Sequence, residues 1–117
     1  MGPTPHPPPG PTLGEPLTVY VDDWRQRATI RTREDRWSHL VADDADELHA
    51  MAARLGIPRR GYQRHRRSPA LNHYDLPERL RLRAIELGAV AITWRELGRL
   101  TREWRRGGAR PERPDPP

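Results

Sequence analysis

Trp37-Ser-His-Leu-Val-Ala-Asp-Asp-Ala-Asp-Glu-Leu-His-Ala-Met-Ala-Ala-Arg-Leu-Gly56 changes its hydrophobic period halfway along. Trp37 to Ala42 is short, apolar and β-prone, and reads as a strand. From Asp43 the period becomes helical. Asp44 and Glu47, three residues apart, form a capping box with aspartate in place of serine or threonine. Leu48, Met51, Ala52 and Leu55 follow the spacing of a core-facing stripe. Gly56 lies just past the last turn, and Pro58 prevents continuation. A strand feeding directly into an amphipathic helix is half of an α/β unit.

The pattern extends in both directions. Upstream, Leu17-Thr-Val-Tyr-Val21 is β-branched and aromatic, stops at Asp22-Asp23, and reads as a first strand. Residues 25–36 show no helical stripe and read as a loop, with room for a short strand around Ala28–Arg31. Downstream, Gly61-Tyr62-Gln63 is a candidate strand, and Arg64 to Asn72 reads as an exposed loop. A helix is predicted from about Pro77 to Leu87, with proline in its first turn, Asp75 or Leu76 at its cap and Gly88 ending it. Ala89-Val-Ala-Ile92 is a continuous apolar run, as a buried parallel strand would show. Thr93 and Glu96 box the start of a last helix carrying Trp94, Leu97, Thr101 and Trp104 along one side. The expectation is an α/β domain: a small, mostly parallel sheet of about four strands with about three helices.

Composition sets the limits. Of 14 prolines, 7 fall in residues 1–17 and 4 in residues 107–117, which predicts disordered Pro-rich tails around a single domain over residues 18–106. Cysteine is absent, excluding a disulfide scaffold, a thiolate zinc site and a cysteine nucleophile. Apolar runs are too short for a membrane span, and the N-terminus has no basic region followed by an apolar stretch. A cytoplasmic protein with no membrane partner is the expectation. All 21 basic residues are arginine against 16 acidic ones, giving +5. Total exclusion of lysine points to compositional bias, so local clustering of arginine informs more than the total.

Six motifs then occur in order: Thr18-Val-Tyr-Val-Asp-Asp-Trp24, Trp37-Ser-His-Leu-Val-Ala-Asp43, Asp46-Glu-Leu-His49, Ala53-Arg-Leu-Gly56, His73-Tyr-Asp-Leu76 and Ala84-Ile-Glu-Leu-Gly-Ala-Val90. Together they resemble a family of small bacterial and phage proteins known as domain of unknown function 4031, over roughly residues 18–98. The resemblance implies no particular reaction. The long, basic Arg64–Asn72 loop departs from the usual pattern of that family.

Candidate site residues come from strand ends and helix starts. Asp22 and Asp23 close the first strand, where an α/β sheet binds ligands and carboxylates hold divalent cations. Both also suit a plain turn. His39 shares a strand face with Trp37 and Val41. His73 and Asp75 lie two apart in an extended segment and point the same way, as a metal-ligand pair or a base with its orienting group would. These residues suggest a divalent-metal-dependent phosphoester hydrolase of nuclease-like type. His39, His73 and Asp75 would be catalytic, and Asp22, Asp23 and Asp75 would hold Mg²⁺ or Mn²⁺. Arg59, Arg60, Tyr62, Arg64, Arg66 and Arg67 form a basic run with an aromatic in it, suited to nucleic-acid phosphates or a phosphate-bearing small molecule. The alternative is a non-catalytic nucleic-acid or nucleotide-binding module using the arginine-rich loops.

Overall fold

A computed structural model of the chain describes residues 18–107, so the two proline-rich tails expected from composition lie outside the described residues. The chain runs β1 (Val19–Val21), β2 (Gln26–Ile30), β3 (Arg33–Ala42), α1 (Ala45–Arg54), β4 (Tyr62–Gln63), β5 (His73–Pro77), α2 (Glu78–Glu86), β6 (Val90–Ala91) and α3 (Trp94–Gly107). One-turn helices at Arg59–Gly61 and Pro69–Leu71 flank the loop before β5.

The three helices fall where capping and periodicity place them. Asp44 caps α1 by accepting from the Glu47 N–H at 3.2 Å. Thr93 and Glu96 make the reciprocal box ahead of α3, at 2.7 and 3.0 Å. At the other end of α1, Gly56 takes φ 77, and the Ile57 and Gly56 N–H groups return to the Ala52 and Ala53 carbonyls. That is a Schellman closure, and it requires a left-handed residue at the glycine position. The start of α2 differs from expectation. Pro77 is the cap residue itself and ends a strand, while the cap hydrogen bond comes from far away, the Asp35 carboxylate of β3 accepting from the Glu78 N–H at 3.1 Å.

The sheet corrects the expected architecture. It has six strands, not about four, and is mostly antiparallel. The order is β4-β5-β3-β1-β6, with β2 also on β3, and the parallel pairing is that of β1 with β6. The segment 25–36, read as a loop with room for a short strand around Ala28–Arg31, forms from Gln26 onward β2 and the outer part of β3, joined as a hairpin. Its turn is Arg31-Thr32, with both residues at positive φ (51 and 69), as a type I′ turn demands. The hairpin projects past the core and is largely exposed on both faces, so it has no hydrophobic alternation to reveal it.

β1 and β2 run along the same edge of β3 as two parts of one interrupted arm. Val19 to Val21 pair with Ala42 to Leu40, and Gln26 pairs with Trp37. Between these registers the four residues 22–25 face only Ser38 and His39. The result is a bulge two residues long, a device that bends a strand and re-aims its side chains.

One sheet face packs on α1 and α2, burying Val19, Val21, Leu40, Ala42, Tyr74 and Leu76 against Leu48, Met51, Leu55 and Ala84. The opposite face is half covered. There α3 and the Pro69–Leu71 turn bring Trp104 and Ala70 onto Val41, beside Tyr20, Leu97 and Leu100. The uncovered remainder of that face carries His39, His73 and Asp75. Among the described residues, no helix is long and apolar enough to cross a membrane.

Candidate metal centre

Three strands build the site. β3 is central and carries His39; β5 pairs with it, setting Asp75 directly opposite His39. His73 lies two residues before Asp75 and therefore on the same face. The His39 and His73 rings meet edge to face at 5.0 Å between centroids. One donor atom from each of His39, His73 and Asp75 falls within 4.8 Å of the others.

The bulge supplies a fourth participant, Asp22, which is 1 % exposed. Its Oδ1 accepts from the His39 N–H at 2.8 Å and the Trp24 N–H at 3.3 Å. Its Oδ2 lies 2.8 Å from His39 Nδ1. A carboxylate accepts only, so the proton of that contact sits on Nδ1, and Nε2 is the ring nitrogen left for a ligand. His73 is fixed in the same way: its Nδ1 lies 2.9 Å from the Leu71 carbonyl oxygen, which also accepts only. Both imidazoles thus have Nδ1 committed to an oxygen and Nε2 available, the arrangement by which outer groups orient metal-binding histidines.

His73 Nε2 stands 3.2 Å from Asp75 Oδ1. Two lone pairs at that distance are favourable only with a proton or a cation to share. Burial is the largest single influence on His73 and pulls its pKa down. The Asp75 hydrogen bond, the Leu71 carbonyl and the charges of Asp75 and Asp22 outweigh it, holding His73 above the usual histidine value. A proton or a cation between Nε2 and Asp75 would therefore compete for the same place.

The surroundings hold the bulge. Arg81 of α2 donates to the Asp22 carbonyl at 2.9 Å, and Arg25, at φ 47, pairs with Glu78 at 3.1 Å. The Arg25 N–H is received by the buried Ser38 hydroxyl at 3.2 Å. Trp24 leans over His39 at 5.1 Å. A cavity of about 420 Å³ opens beside the rings, lined by Asp22, His39, His73 and His65 and otherwise by carbon-rich groups including Trp24, Leu71, Trp94 and Leu97. His65 Nδ1 accepts from the Arg67 and Ser68 N–H groups at 3.3 and 3.1 Å, so its ring carries a proton on Nε2.

The expected site residues thus divide. His39, His73 and Asp75 come together, with Asp22 behind His39. Asp23 does not join them; its Oδ1 accepts from the Trp94 N–H at 2.7 Å and caps α3. The basic run also divides. Arg59 donates to His49 Nδ1 at 3.0 Å, and the Tyr62 ring packs at 4.5 Å on His49 and 5.3 Å on Tyr74. Arg60 offers its carbonyl to Arg31 at 2.9 Å. Arg64 is engaged, and Arg66 is exposed. Arg67 lines a groove beside the cavity. Sequence reasoning passed over Trp24, Ser38 and Arg81. Trp24 follows the Asp-Asp pair directly, a usable signal, whereas Arg81 contacts a backbone carbonyl and leaves none.

No curated protein and no solved structure matches the chain. The family model described as Protein of unknown function (DUF4031) matches residues 19–104, and the chain belongs to that family.

Proposed function

We propose that the protein is a divalent-metal-dependent hydrolase of phosphate esters, nuclease-like in its chemistry. The observation that carries this reading is the pair of oriented imidazoles, each with Nδ1 committed, converging with Asp75 within 4.8 Å. His39 and His73, through Nε2, and Asp75, through a carboxylate oxygen, would be the ligands. Two imidazoles and one carboxylate suit a borderline ion such as Zn²⁺ best, and Mn²⁺, which like Mg²⁺ favours oxygen donors, less well. A bound ion would polarise the ester and lower the pKa of a coordinated water. Asp22 would orient His39 rather than ligate. His65, with its proton on Nε2 and its place in the same cavity wall, would protonate the leaving group.

The test is hydrolysis of bis(p-nitrophenyl) phosphate by the full chain with Mn²⁺ or Zn²⁺, alongside calorimetric titration of each ion. Asp75→Asn and His39→Ala are expected to abolish both binding and turnover. Absence of ion binding at millimolar concentration, or activity that survives both substitutions, would overturn the proposal.

A further inference from the structure

We infer that the substrate is single-stranded nucleic acid, with one unpaired base received by the cavity between Trp24 and Trp94 and a neighbouring phosphate held by Arg67 and Arg105. This rests on reading the His39–His73–Asp75 cluster as the hydrolytic centre.

The cavity comes first. At about 420 Å³ it falls in the range of small-molecule sites. Its polar groups are chiefly the histidines and Asp22, and the rest is largely carbon. Trp24 and Trp94 remain 38 % and 50 % exposed while lining it. Indoles left open on such a cavity are platforms for flat rings, and every nucleobase has a stackable face. Arg95 lies over the Trp94 ring at 5.2 Å and adds positive charge to that rim.

The neighbouring groove comes second. It has about 480 Å³, is lined by Arg67, Ser68 and Arg105 among others, and shares His65 and Ala70 with the cavity. The two depressions therefore adjoin. Among the described residues, no carboxylate lines the groove and neither Arg67 nor Arg105 is in an ion pair. The arginines of the bulge and the β2–β3 hairpin differ. Arg25, Arg27 and Arg33 pair with Glu78, Glu34 and Asp35, and Arg31 and Arg36 donate to the Arg60 and Arg25 carbonyls. A groove beside Asp75 that contains Arg31 and Arg33 is thus already satisfied, whereas the one with Arg67 and Arg105 is not.

A ligand with a flat ring, a phosphate at the centre and a second phosphate one groove away is a stretch of polynucleotide. Bases in a duplex are stacked and paired with each other, so only an unpaired base can occupy the cavity.

The experiment measures binding of fluorescein-labelled oligothymidylate, about ten nucleotides long, to the full chain in EDTA, by anisotropy. Saturable binding is expected, weaker by tenfold or more for the duplex of the same length. Trp94→Ala, at a half-exposed site, should weaken it about tenfold. Arg67→Ala with Arg105→Ala should make the slope of log K against log salt shallower by about 0.7 per arginine. Circular dichroism melts verify that each variant folds, and Trp94→Phe, which keeps a stacking face, should restore most of the affinity. No binding, equal affinity for duplex, or binding indifferent to Trp94→Ala overturns the inference. So does thymidine monophosphate binding as tightly as the strand, which would make a free nucleotide the ligand. Strand binding with no metal-dependent turnover removes the hydrolase reading and leaves the strand as a ligand instead of a substrate. Turnover of bis(p-nitrophenyl) phosphate without strand binding removes this inference alone.

Discussion

Asp22→Asn tests the orientation of His39 with little change in shape. Oδ1 remains, so the His39 and Trp24 N–H groups, at 2.8 and 3.3 Å, keep their acceptor and the bulge stays closed. The change falls on the 2.8 Å contact to His39 Nδ1, where an amide NH₂ replaces Oδ2. Two donors cannot face each other, so the imidazole proton moves to Nε2 and the ring turns a donor toward the cluster. The fold loses one charge-assisted hydrogen bond and gains a neutral one, a net change of about 1 kcal/mol. Metal affinity should suffer more: removing an outer partner of a ligating histidine costs about 10–100-fold, or roughly 1.4–2.8 kcal/mol. Calorimetric titration with Mn²⁺ and Zn²⁺ reads the affinity, ¹⁵N shifts of the His39 ring read the tautomer, and a thermal melt reads the fold. Asp23→Asn is the control, because Asp23 caps α3 and takes no part in the cluster. Asp22→Asn affinity within twofold of the parent, or an equal loss in Asp23→Asn, would refute the role given to Asp22.

Further outcomes follow from the same contacts. Because Asp75 and Leu71, against the opposing effect of burial, hold the His73 pKa above its ordinary value, metal must displace a proton there, so apparent affinity should climb as pH rises through that raised value; a flat profile from about pH 6 to about pH 8, a window reaching further above the ordinary histidine value than below it, would contradict it. Asp35→Ala removes the cap of α2 and should cost about 1 kcal/mol in a denaturant melt. The hydrogen bond from the Glu78 N–H leads the causes that hold the Asp35 pKa below the usual value, so its contribution is present above the unfolded aspartate pKa and lost as pH falls through the lowered native one. The gap between Asp35→Ala and the parent should therefore close in acid. Trp104→Ala opens the cluster of Val41, Ala70 and Tyr20 and should cost about 3–5 kcal/mol, against a few tenths for exposed Trp94→Ala. Thr32→Gly relieves a β-branched residue at φ 69 and should raise stability by about 1 kcal/mol; a lower melting temperature would count against the turn.

Legibility from sequence follows burial. α1 and α3 were readable because their stripes face a core and their caps are local. α2 was placed correctly, but its cap was not, since Asp35 lies 43 residues away. The hairpin of β2 and outer β3 was hidden because exposed residues carry no alternation and its turn contains no glycine. Pro77 masked β5 by resembling a helix start, although it ends a strand. Strand direction is a property of pairing, not of local pattern, so the expectation of a parallel sheet had no internal check. At the site, His39, His73 and Asp75 were readable because an extended segment sends alternate residues to one face. Asp22 and Asp23 looked equivalent, and only the bulge separates them, sending one to His39 and the other to α3.

The bulge is two residues long, and the number is informative. A one-residue insertion in a strand exchanges its faces; an even one restores them. Tyr20 and Gln26 thus keep the parity an uninterrupted arm opposite β3 would have, with Val41 and Trp37 as their partners. Shortening the 22–25 segment by two residues would leave the remaining arm in a legal hairpin with the same residues inward and outward. The sheet therefore has no need of the extra pair. What the segment adds lies outside the strand pairing: Asp22 on His39, Asp23 on α3 and Arg25 on Glu78. A chain lacking the insertion would keep the strand parity but lose both the orientation of His39 and the Asp23 cap of α3.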